Sequence, residues 1–232
     1  MPETHYTAWF RFRSSAPAED AFHVISFSGT EGLNTLFSFT IELASLNADI
    51  DAAAMLATEA EFAILREGAP DAVFRGFPAR VDQGGHFGDY TFYTVELRPA
   101  FWKLTRLVGS AVFLNKKIRE AAAEVLHSQQ FFRFEHEFRL TRDYPAPEFA
   151  MQYGESLYDY LLFRMEQQGV YFYFAPDGDR VIFADAPQSH QDAAAKLAYS
   201  PASGLDHARR EEVLQSFAMA RAPLPSASAA TP

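Results

Sequence analysis

The sequence predicts an α+β fold rich in β-structure, in which a small antiparallel β-barrel is followed by a mixed α/β region. Aromatic content is high, with 23 Phe and 10 Tyr in 232 residues, and such rings favour strands. Apolar and polar residues alternate with period two in several parts of residues 7–99, as they do in strands with one solvated face. Helical spacing of apolar residues becomes prominent only after residue 101.

Six strands and one short helix are expected in the first part of the chain. The alternation is clearest over residues 37–43, where every odd position is Phe, Ile or Leu. Turns rich in Gly, Pro, Asn and Asp separate the elements. The predicted strands are 7–13, 22–27, 36–43, 61–66, 73–82 and 90–98, and the helix is 51–56. A sheet of this size hides its edges by closing on itself, so we expect a barrel.

Gly84, Gly85 and Gly88 lie between the last two of these strands. A glycine cluster could cradle phosphate, but a phosphate loop requires a following helix with a Lys or Ser. Here residues 90–97 continue as a strand, so we predict a hairpin turn.

The second region combines two helices with short strands. Apolar residues at 118, 121, 122, 125 and 126 form one helical stripe. A second helix is predicted over 157–168, with Ser156 as its N-cap, Asp159 three residues later and Gly169 as its stop. Strands are expected at 131–140, 149–153, 170–174 and 180–184, and residues 176–179 are typical of a hairpin turn.

Composition excludes several classes of function. A net charge of −10 argues against a nucleic-acid partner, which requires clustered Lys and Arg. Cysteine is absent, so neither disulfides nor thiolate metal sites are expected. The first residues lack the pattern of a signal peptide, and no segment approaches the roughly 18 apolar residues of a membrane helix. Export would therefore bypass the general secretory route, and this segment is not expected to insert into a membrane.

A hydrolase site around Ser156 is an alternative interpretation of this segment. Residues 154–158, GESLY, approach the G-x-S-x-G nucleophile elbow but lack its final glycine. Glu155, Asp159 and Glu166 offer carboxylates of the kind that glycosidases pair. Capping by Ser156, acids at the helix N-terminus and ion pairs explain these residues better, so no catalytic residue is assigned.

No metal or cofactor is expected. The seven histidines show no H-x-x-x-H pair, and His136-Glu137 lacks the second His of a zincin helix. The pairs 116–117 and 209–210 are too short for nucleic-acid patches and are interpreted as solvated faces. The histidines are at positions 5, 23, 86, 127, 136, 190 and 207.

Four segments carry a resemblance to a known family. Residues 149–174, FAMQYGESLYDYLLFRMEQQGVYFYF, resemble the signature of the VgrG spike proteins of type VI secretion and of the related tailed-phage baseplate hub proteins. Residues 29–44 are similar to the entry hairpin of that family, and 75–102 to its two long strands with a Pro-x-x-Trp corner. Residues 113–126, FLNKKIREAAAEVL, resemble one of its helices.

The resemblance implies a baseplate hub-like fold and a non-enzymatic function. In the family, three chains form a pseudo-sixfold ring that caps a hexameric, Hcp-like tube protein and adapts it to a threefold needle. Baseplate and effector proteins are further implied partners. The protein would assemble in the cytoplasm and then be secreted through the type VI apparatus. Alternatives are a contractile-phage or tailocin hub and, from another class, a cell-wall or lipid hydrolase acting through Ser156 or the pair Glu155 and Asp159.

The same resemblance suggests how the chain is divided. We expect an antiparallel β-barrel domain at 1–105, a mixed α/β domain at 106–186 and the start of a truncated second-barrel region at 187–221. Residues 222–232 are rich in Pro, Ser and Ala and are expected to form a disordered tail. Because only one barrel is complete, the isolated chain is expected to be a monomer or a weak oligomer.

Overall fold

A computed structural model describes residues 9–16, 21–66, 71–128, 135–176, 178, 180–190, 198–199, 201 and 213–219. The chain divides into two units, Met1–Gln191 and Asp192–Pro232. The first unit is strand-rich with fewer helices, which confirms the predicted α+β, β-rich class.

A curled sheet of six antiparallel strands forms the first part of this unit. The strand order is β1-β4-β5-β6-β3-β2, and all six predicted strands are present. The strands are β1 (Phe10–Ser14), β2 (His23–Gly32), β3 (Thr35–Ser45), β4 (Ala60–Ile64), β5 (Ala72–Phe87) and β6 (Tyr90–Arg98). The predicted short helix is α1 (Ala52–Leu56), whose N-cap Asp51 accepts a hydrogen bond from the backbone N–H of Ala54.

Phenylalanine rings fill the curled sheet and join its two edge strands. Phe37 and Phe39 are buried, as the alternation predicted. The edge strands β1 and β2 meet through ring contacts instead of a described backbone ladder, with Phe10 and Phe27 centroids 4.9 Å apart. Aromatic packing therefore bridges the two edges of the half-barrel, which accounts for the high phenylalanine content of this region.

The glycine cluster lies in the predicted hairpin between β5 and β6. Strand β5 continues past its expected end to Phe87, and a bulge between Gln83 and His86 takes up Gly84 and Gly85. Only Gly88 is in the turn itself, with φ of 60°. A left-handed backbone at this position suits glycine, which has no Cβ to clash.

The second part of the unit places two helices against two small sheets. Strands β10, β11 and β8 form one sheet, and β7 and β9 form an antiparallel ribbon. The elements are a 3-10 helix (Ala100–Arg106), β7 (Val108–Leu114), α2 (Ile118–Ser128), β8 (His136–Arg139), β9 (Phe149–Ser156), α3 (Leu157–Gln168), β10 (Tyr171–Phe174), β11 (Val181–Ala184) and a second 3-10 helix (Pro187–Ser189).

Helix α3 has the bounds that its capping residues predicted. Ser156 accepts a hydrogen bond from the backbone N–H of Asp159, and Gly169 ends the helix with φ of 68°. Tyr160, Leu161 and Met165 turn one face into the core. Local chemistry at the two ends therefore fixed this helix.

The interpretation of 113–126 as one helix was wrong at its start. Phe113 belongs to β7, and α2 begins only at Ile118. Asn115 has φ of 52° and donates its backbone N–H to the Glu148 carbonyl, so it extends strand pairing toward β9 before the chain turns. The apolar stripe of α2 is buried as expected, whereas β7 was not predicted. Residues 131–134 of the predicted strand 131–140 lie outside the described residues.

The second unit contains one short parallel strand pair among its described residues. Strand β12 (Ala198–Tyr199) pairs with β13 (Val213–Leu214). The predicted disordered tail, 222–232, lies outside the described residues. Within the described ranges, no helix is long and apolar enough to cross a membrane.

Candidate assembly surface

The ribbon of β7 and β9 packs one of its faces onto α3. Phe113 and Ala150 are directly paired across the ribbon and buried, and Gln152 is buried beside them. The Phe113 ring stacks on Tyr160 of α3, with centroids 5.1 Å apart and planes at 13°. This contact ties the ribbon to the hydrophobic core of the second region.

The opposite face of the ribbon is apolar and exposed. Cross-strand register pairs Leu114 with Phe149 and Val112 with Met151, so their side chains form rows on one surface. We call this surface the ribbon face. Its six residues, with their exposed fractions, are Val108 (68%), Val112 (55%), Leu114 (57%), Phe149 (56%), Met151 (48%) and Tyr153 (77%).

Backbone and side-chain hydrogen bonds hold the ribbon at both ends. Asn115 N–H donates to the Glu148 carbonyl at 3.2 Å, and Leu157 N–H donates to the Leu107 carbonyl at 2.9 Å. At the bulge, the Gly154 N–H donates to Ser110 Oγ at 3.1 Å. The exposed side chains therefore stand on a fixed backbone, which lowers the entropy lost when a partner binds.

The ribbon face carries no charged side chain. Its six residues are all apolar or aromatic. Glu148 precedes β9, and Glu155 lies near the end of that strand, where it pairs with Gly109. Contiguous exposed apolar patches are uncommon on monomeric proteins and mark interaction surfaces. The arrangement can bind an apolar protein surface and offers no group for bond-making chemistry.

Of the four residues weighed for catalysis, the structure brings Ser156 and Asp159 together as a helix cap, whereas Glu166 lies in the last turn of α3. Ser156 is 5% exposed, and its Oγ donates to Asp159 Oδ2 at 2.6 Å while accepting the Asp159 backbone N–H at 3.0 Å. The Ser156 hydroxyl thus both donates and accepts a hydrogen bond within the cap. Burial and these bonds leave Ser156 without the exposed hydroxyl that a nucleophile elbow presents.

The histidines considered as metal ligands are dispersed, apart from one pair. His127 and His136 have ring centroids 5.3 Å apart, and His190 stacks on Tyr173 at 4.6 Å. Within the described ranges, no group of three or more His, Asp or Glu residues could hold a metal ion. His5, His207 and the pair 209–210 lie outside the described residues.

The lysine pair is engaged in ion pairs. Lys116 contacts Glu124, and Lys117 Nζ lies 2.7 Å from Asp143 Oδ1. Both lysine side chains are more than a third exposed, so these pairs lie on a solvated face as predicted and contribute little stability.

A cavity of about 240 Å³ lies at the end of the curled sheet, where arginine and glutamate alternate across strands. Arg13, Glu61 and Arg75 are in register on β1, β4 and β5. Glu61 binds Arg75 at 3.0 Å and also Arg11 at 3.1 Å. The Glu61 carboxylate therefore offsets the guanidinium groups of Arg11 and Arg75, and these ion pairs are structural elements of the sheet.

Sequence reasoning missed a buried carboxylate at Asp185. Its fully shielded side chain accepts hydrogen bonds from the Thr141 and Arg142 N–H groups and from the Tyr144 hydroxyl, all within 3.0 Å. Burial alone would raise the pKa of Asp185, but these hydrogen bonds outweigh it and hold the pKa well below its usual range. Asp185 directly follows β11, and the neighbouring sequence does not indicate that its side chain is buried, because its hydrogen-bond partners come from a loop some forty residues earlier.

Comparison with known proteins identifies the family. The family described as phage tail baseplate hub (GPD) matches residues 30–231. The type VI secretion system spike protein VgrG1c of Pseudomonas aeruginosa is 33% identical over 187 residues, which cover 79% of this chain and 25% of the relative. The chain thus spans about a quarter of the length of that spike protein.

Solved structures share the fold. An E. coli type VI secretion component, described as similar to the T4 bacteriophage tail proteins gp27 and gp5, aligns with a TM-score of 0.69 at 22% identity and covers 82% of this chain and 52% of its own. A 43 kDa tail protein of the Shewanella oneidensis prophage MuSo2 aligns at 0.59 and 12% identity, with coverages of 82% and 56%. On the family match and the spike-protein identity together, the chain belongs to the phage tail baseplate hub family, which includes type VI secretion spike proteins.

Proposed function

We propose that this chain is a non-enzymatic structural subunit of a type VI secretion spike. Three copies would form a hub that joins a hexameric, Hcp-like tube to a threefold needle. The ribbon face carries the proposal, because it is a rigid, apolar, uncharged surface suited to protein contact. Affinity in such a hub comes from buried interface area and symmetry rather than from chemistry.

Two clusters of buried residues support the proposed domain division, although Ala100, Phe101 and Leu104 pack in the second cluster. Residues 1–105 would form the barrel domain around the buried rings of Phe37 and Phe62. Residues 106–186 would form the α/β domain around a separate core that includes Phe113 and Tyr160. Residues 187–221 would begin the second-barrel region.

A structural role also agrees with the hydrogen bonds that the candidate polar residues make within the protein. Ser156 and Asp159 are engaged with each other in the helix cap, and Glu61 and Asp185 each accept several hydrogen bonds. A hydrolase would need such groups aimed at a substrate cleft. We therefore propose that the chain has no catalytic activity.

The proposed partners and location follow from the spike assignment. The hub would contact the tube protein, baseplate proteins and effectors, and it would have no nucleic-acid partner, in keeping with a net charge of −10. Assembly would take place in the cytoplasm, and the type VI apparatus would then secrete the protein without a signal peptide.

The test is to co-express this chain, in its native gene context, with the tube protein of the same genome and to measure the mass of the complex. A mass of three hub chains on one tube hexamer is expected. A hub product that neither trimerises nor contacts the hexamer would contradict the proposal. A lysate without the tube protein is the matched control for non-specific association.

A hub of a contractile phage or tailocin is the second candidate, favoured by the likeness to the Shewanella prophage tail protein. Neighbouring genes discriminate the two candidates. Tail-fibre and lysis genes would indicate a phage, whereas genes for an ATPase and a membrane complex would indicate secretion.

A further inference from the structure

We propose that the cavity at the end of the curled sheet binds a carboxylate group through Arg13. The proposal goes beyond the spike assignment and does not depend on it. It is carried by Arg13 itself, which lines this cavity of about 240 Å³ and has no acid partner in the described part of the chain. The carboxylate belongs either to a small organic acid or to an acidic side chain of another protein, and both sources present the same group.

The ion pairs of Glu61 explain why Arg13 is left over. Arg13 on β1 lies directly opposite Glu61 on β4, so an ion pair between them would be expected from the register. However, Glu61 Oε1 lies 3.1 Å from Arg11 Nη2, and Glu61 Oε2 lies 3.0 Å from Arg75 Nε. Both oxygens of the carboxylate therefore bind other guanidinium groups, and the charge of Arg13 is not offset by a direct contact within the sheet.

The guanidinium group of Arg13 is partly withdrawn from water. Arg13 is half-buried, and its Nε is buried with no hydrogen-bond partner among the residues that the structure describes. Charges attract each other more strongly where water is excluded, so a partly dehydrated guanidinium gains more from an anion than a fully hydrated one. The two Nη groups present parallel N–H donors that fit both oxygens of one carboxylate.

Ser15 adds a neutral hydrogen-bond donor to the same cavity. Its backbone N–H donates to the Glu59 carbonyl at 3.3 Å, whereas its exposed hydroxyl makes no hydrogen bond within the described ranges. The neighbouring Ser14 is different, because its Oγ already donates to the Ala16 carbonyl at 2.9 Å. Arg13 and Ser15 are therefore the two lining residues whose side-chain donors are available to an anion.

The charges around the cavity favour an anion with a single charge. The charged residues of the lining are Arg13, Glu59, Glu61 and Arg75. Glu61 is held in its ion pairs, and the exposed Glu59 interacts electrostatically with Lys103. A carboxylate offsets the charge of Arg13, whereas a dianion such as sulfate or phosphate would bring a second negative charge close to the two glutamates. The group that fits is therefore a carboxylate.

Titration of the isotope-labelled chain with sodium acetate tests the proposal, with NMR signals of the Arg13 Nε–H and the Ser15 amide as the readout. We expect saturable shifts with a dissociation constant on the order of 1 mM, because the ligand is small and the chain has a net charge of −10. Sodium chloride at the same ionic strength is expected to give no saturable shift. Sodium sulfate is expected to bind more weakly than acetate. Failure of acetate to saturate these signals, or tighter binding of sulfate, would overturn the proposal.

Variants of Arg13 show whether this side chain binds the acetate. Arg13→Gln removes the guanidinium and is expected to weaken binding at least about tenfold. Arg13→Lys keeps the charge but loses the paired donors, and we expect a loss of about threefold. The matched control is Arg80→Gln, at an exposed guanidinium that is paired with Asp82 at 2.7 Å outside the cavity, and it is expected to leave binding within about twofold. Circular dichroism checks that the variants fold. Equal effects of Arg13→Gln and Arg80→Gln would contradict the assignment.

A second titration distinguishes the two sources of the carboxylate. The probe is a peptide with capped ends and one glutamate among glycines, and the same peptide with glutamine is its control. Binding of the glutamate peptide at least about tenfold tighter than acetate would identify an acidic side chain of another protein as the ligand. Binding that is equal to acetate or weaker would identify a small organic acid. Both results support a carboxylate site. A glutamine peptide that shifts the Arg13 and Ser15 signals as strongly as the glutamate peptide would overturn it, because the carboxylate would then not be the group that is bound.

Discussion

Asn34 and Phe172 exchange two hydrogen bonds between the barrel region and the α/β region. The backbone N–H of Asn34 donates to the Phe172 carbonyl at 2.9 Å, and Asn34 Oδ1 accepts the Phe172 N–H at 2.9 Å. Asn34 lies in the turn between β2 and β3 with φ of 53°, and this turn places both groups opposite β10. Nearby, the rings of Phe37 and Phe174 meet at 4.9 Å. One hairpin turn thus acts as an edge partner for a strand of the other region.

This relationship predicts how Asn34 variants unfold. Asn34→Gly keeps the left-handed backbone but leaves the Phe172 N–H, in a residue that is 1% exposed, without its acceptor. We expect a loss of about 1–2 kcal/mol in the free energy of unfolding. Asn34→Ala adds the penalty of a positive φ, about 1 kcal/mol more. Denaturant unfolding measures both changes.

Asn115 supplies the matched control for these variants. It also has positive φ, at 52°, but its side chain is exposed. Asn115→Gly is therefore expected to change stability by less than about 0.5 kcal/mol. Equal losses at Asn34 and Asn115 would mean that the Oδ1 contact to Phe172 contributes nothing.

The lowered pKa of Asp185 leads us to expect that the protein loses stability in acid. Its folded pKa lies below the ordinary value of 3.8, so the unfolded chain binds a proton more readily than the folded chain does. The stability that Asp185 contributes is complete above that value and is lost as the pH falls below about 4. Urea unfolding at pH 7 and at successively lower pH is expected to show that the free energy of unfolding falls with pH below about 4.

Substitution of Asp185 separates its contribution from those of other acids. Asp185→Asn places an NH₂ group against the N–H donors of Thr141 and Arg142, and we expect a loss of about 2–4 kcal/mol at pH 7 with a shallower acid slope. Asp143→Asn, at a carboxylate that is 83% exposed, is expected to change little. An unchanged acid slope in Asp185→Asn would refute the assignment.

The sequence predicted the elements that local chemistry determines. Helix α3 was correct at both ends because Ser156 and Gly169 act on neighbouring backbone groups. The strands of the barrel followed from period-two alternation, which reports burial along one strand. The family signature also depended on these local features, so recognition came from the same residues that cap and stop α3.

The sequence did not predict elements that distant partners determine. Strand β7 is defined by pairing with β9, about forty residues later, and Phe113 at its end fits the helical pattern of 113–126 as well as it fits a strand. Asp185 obtains its hydrogen bonds from residues 141–144, a relationship that no spacing reveals. The apolar residues on both faces of β9 could have indicated the ribbon face, because a strand of this composition is usually covered by other elements on both of its faces.

Ser156 distinguishes a helix cap from a nucleophile. Ser156→Ala removes the acceptor for the Asp159 N–H and is expected to cost about 1 kcal/mol of unfolding free energy. Ser156→Thr retains a capping hydroxyl and is expected to lose less. Thermal unfolding measures the difference. If a cell-wall or lipid substrate is cleaved by the wild type and not by Ser156→Ala, the non-enzymatic proposal is wrong.

Gly76 lies in β5 so close to the end of β6 that there is no room for a side chain at this position. A Cβ at this position would run into the Arg98 carbonyl and press on the Pro99 Cα, and backbone atoms cannot rotate away as a flexible side chain can. Gly76→Ala is therefore expected to cost about 3 kcal/mol, because the β5–β6 pairing must shift. Gly109 in β7 is the matched control, since a Cβ there meets nothing within 4 Å. Gly109→Ala is expected to leave stability unchanged or raise it by about 0.5 kcal/mol through the unfolded chain. Chemical denaturation of the two variants side by side decides the point, and equal stabilities would show that the approach of Gly76 to Arg98 is not needed by the fold.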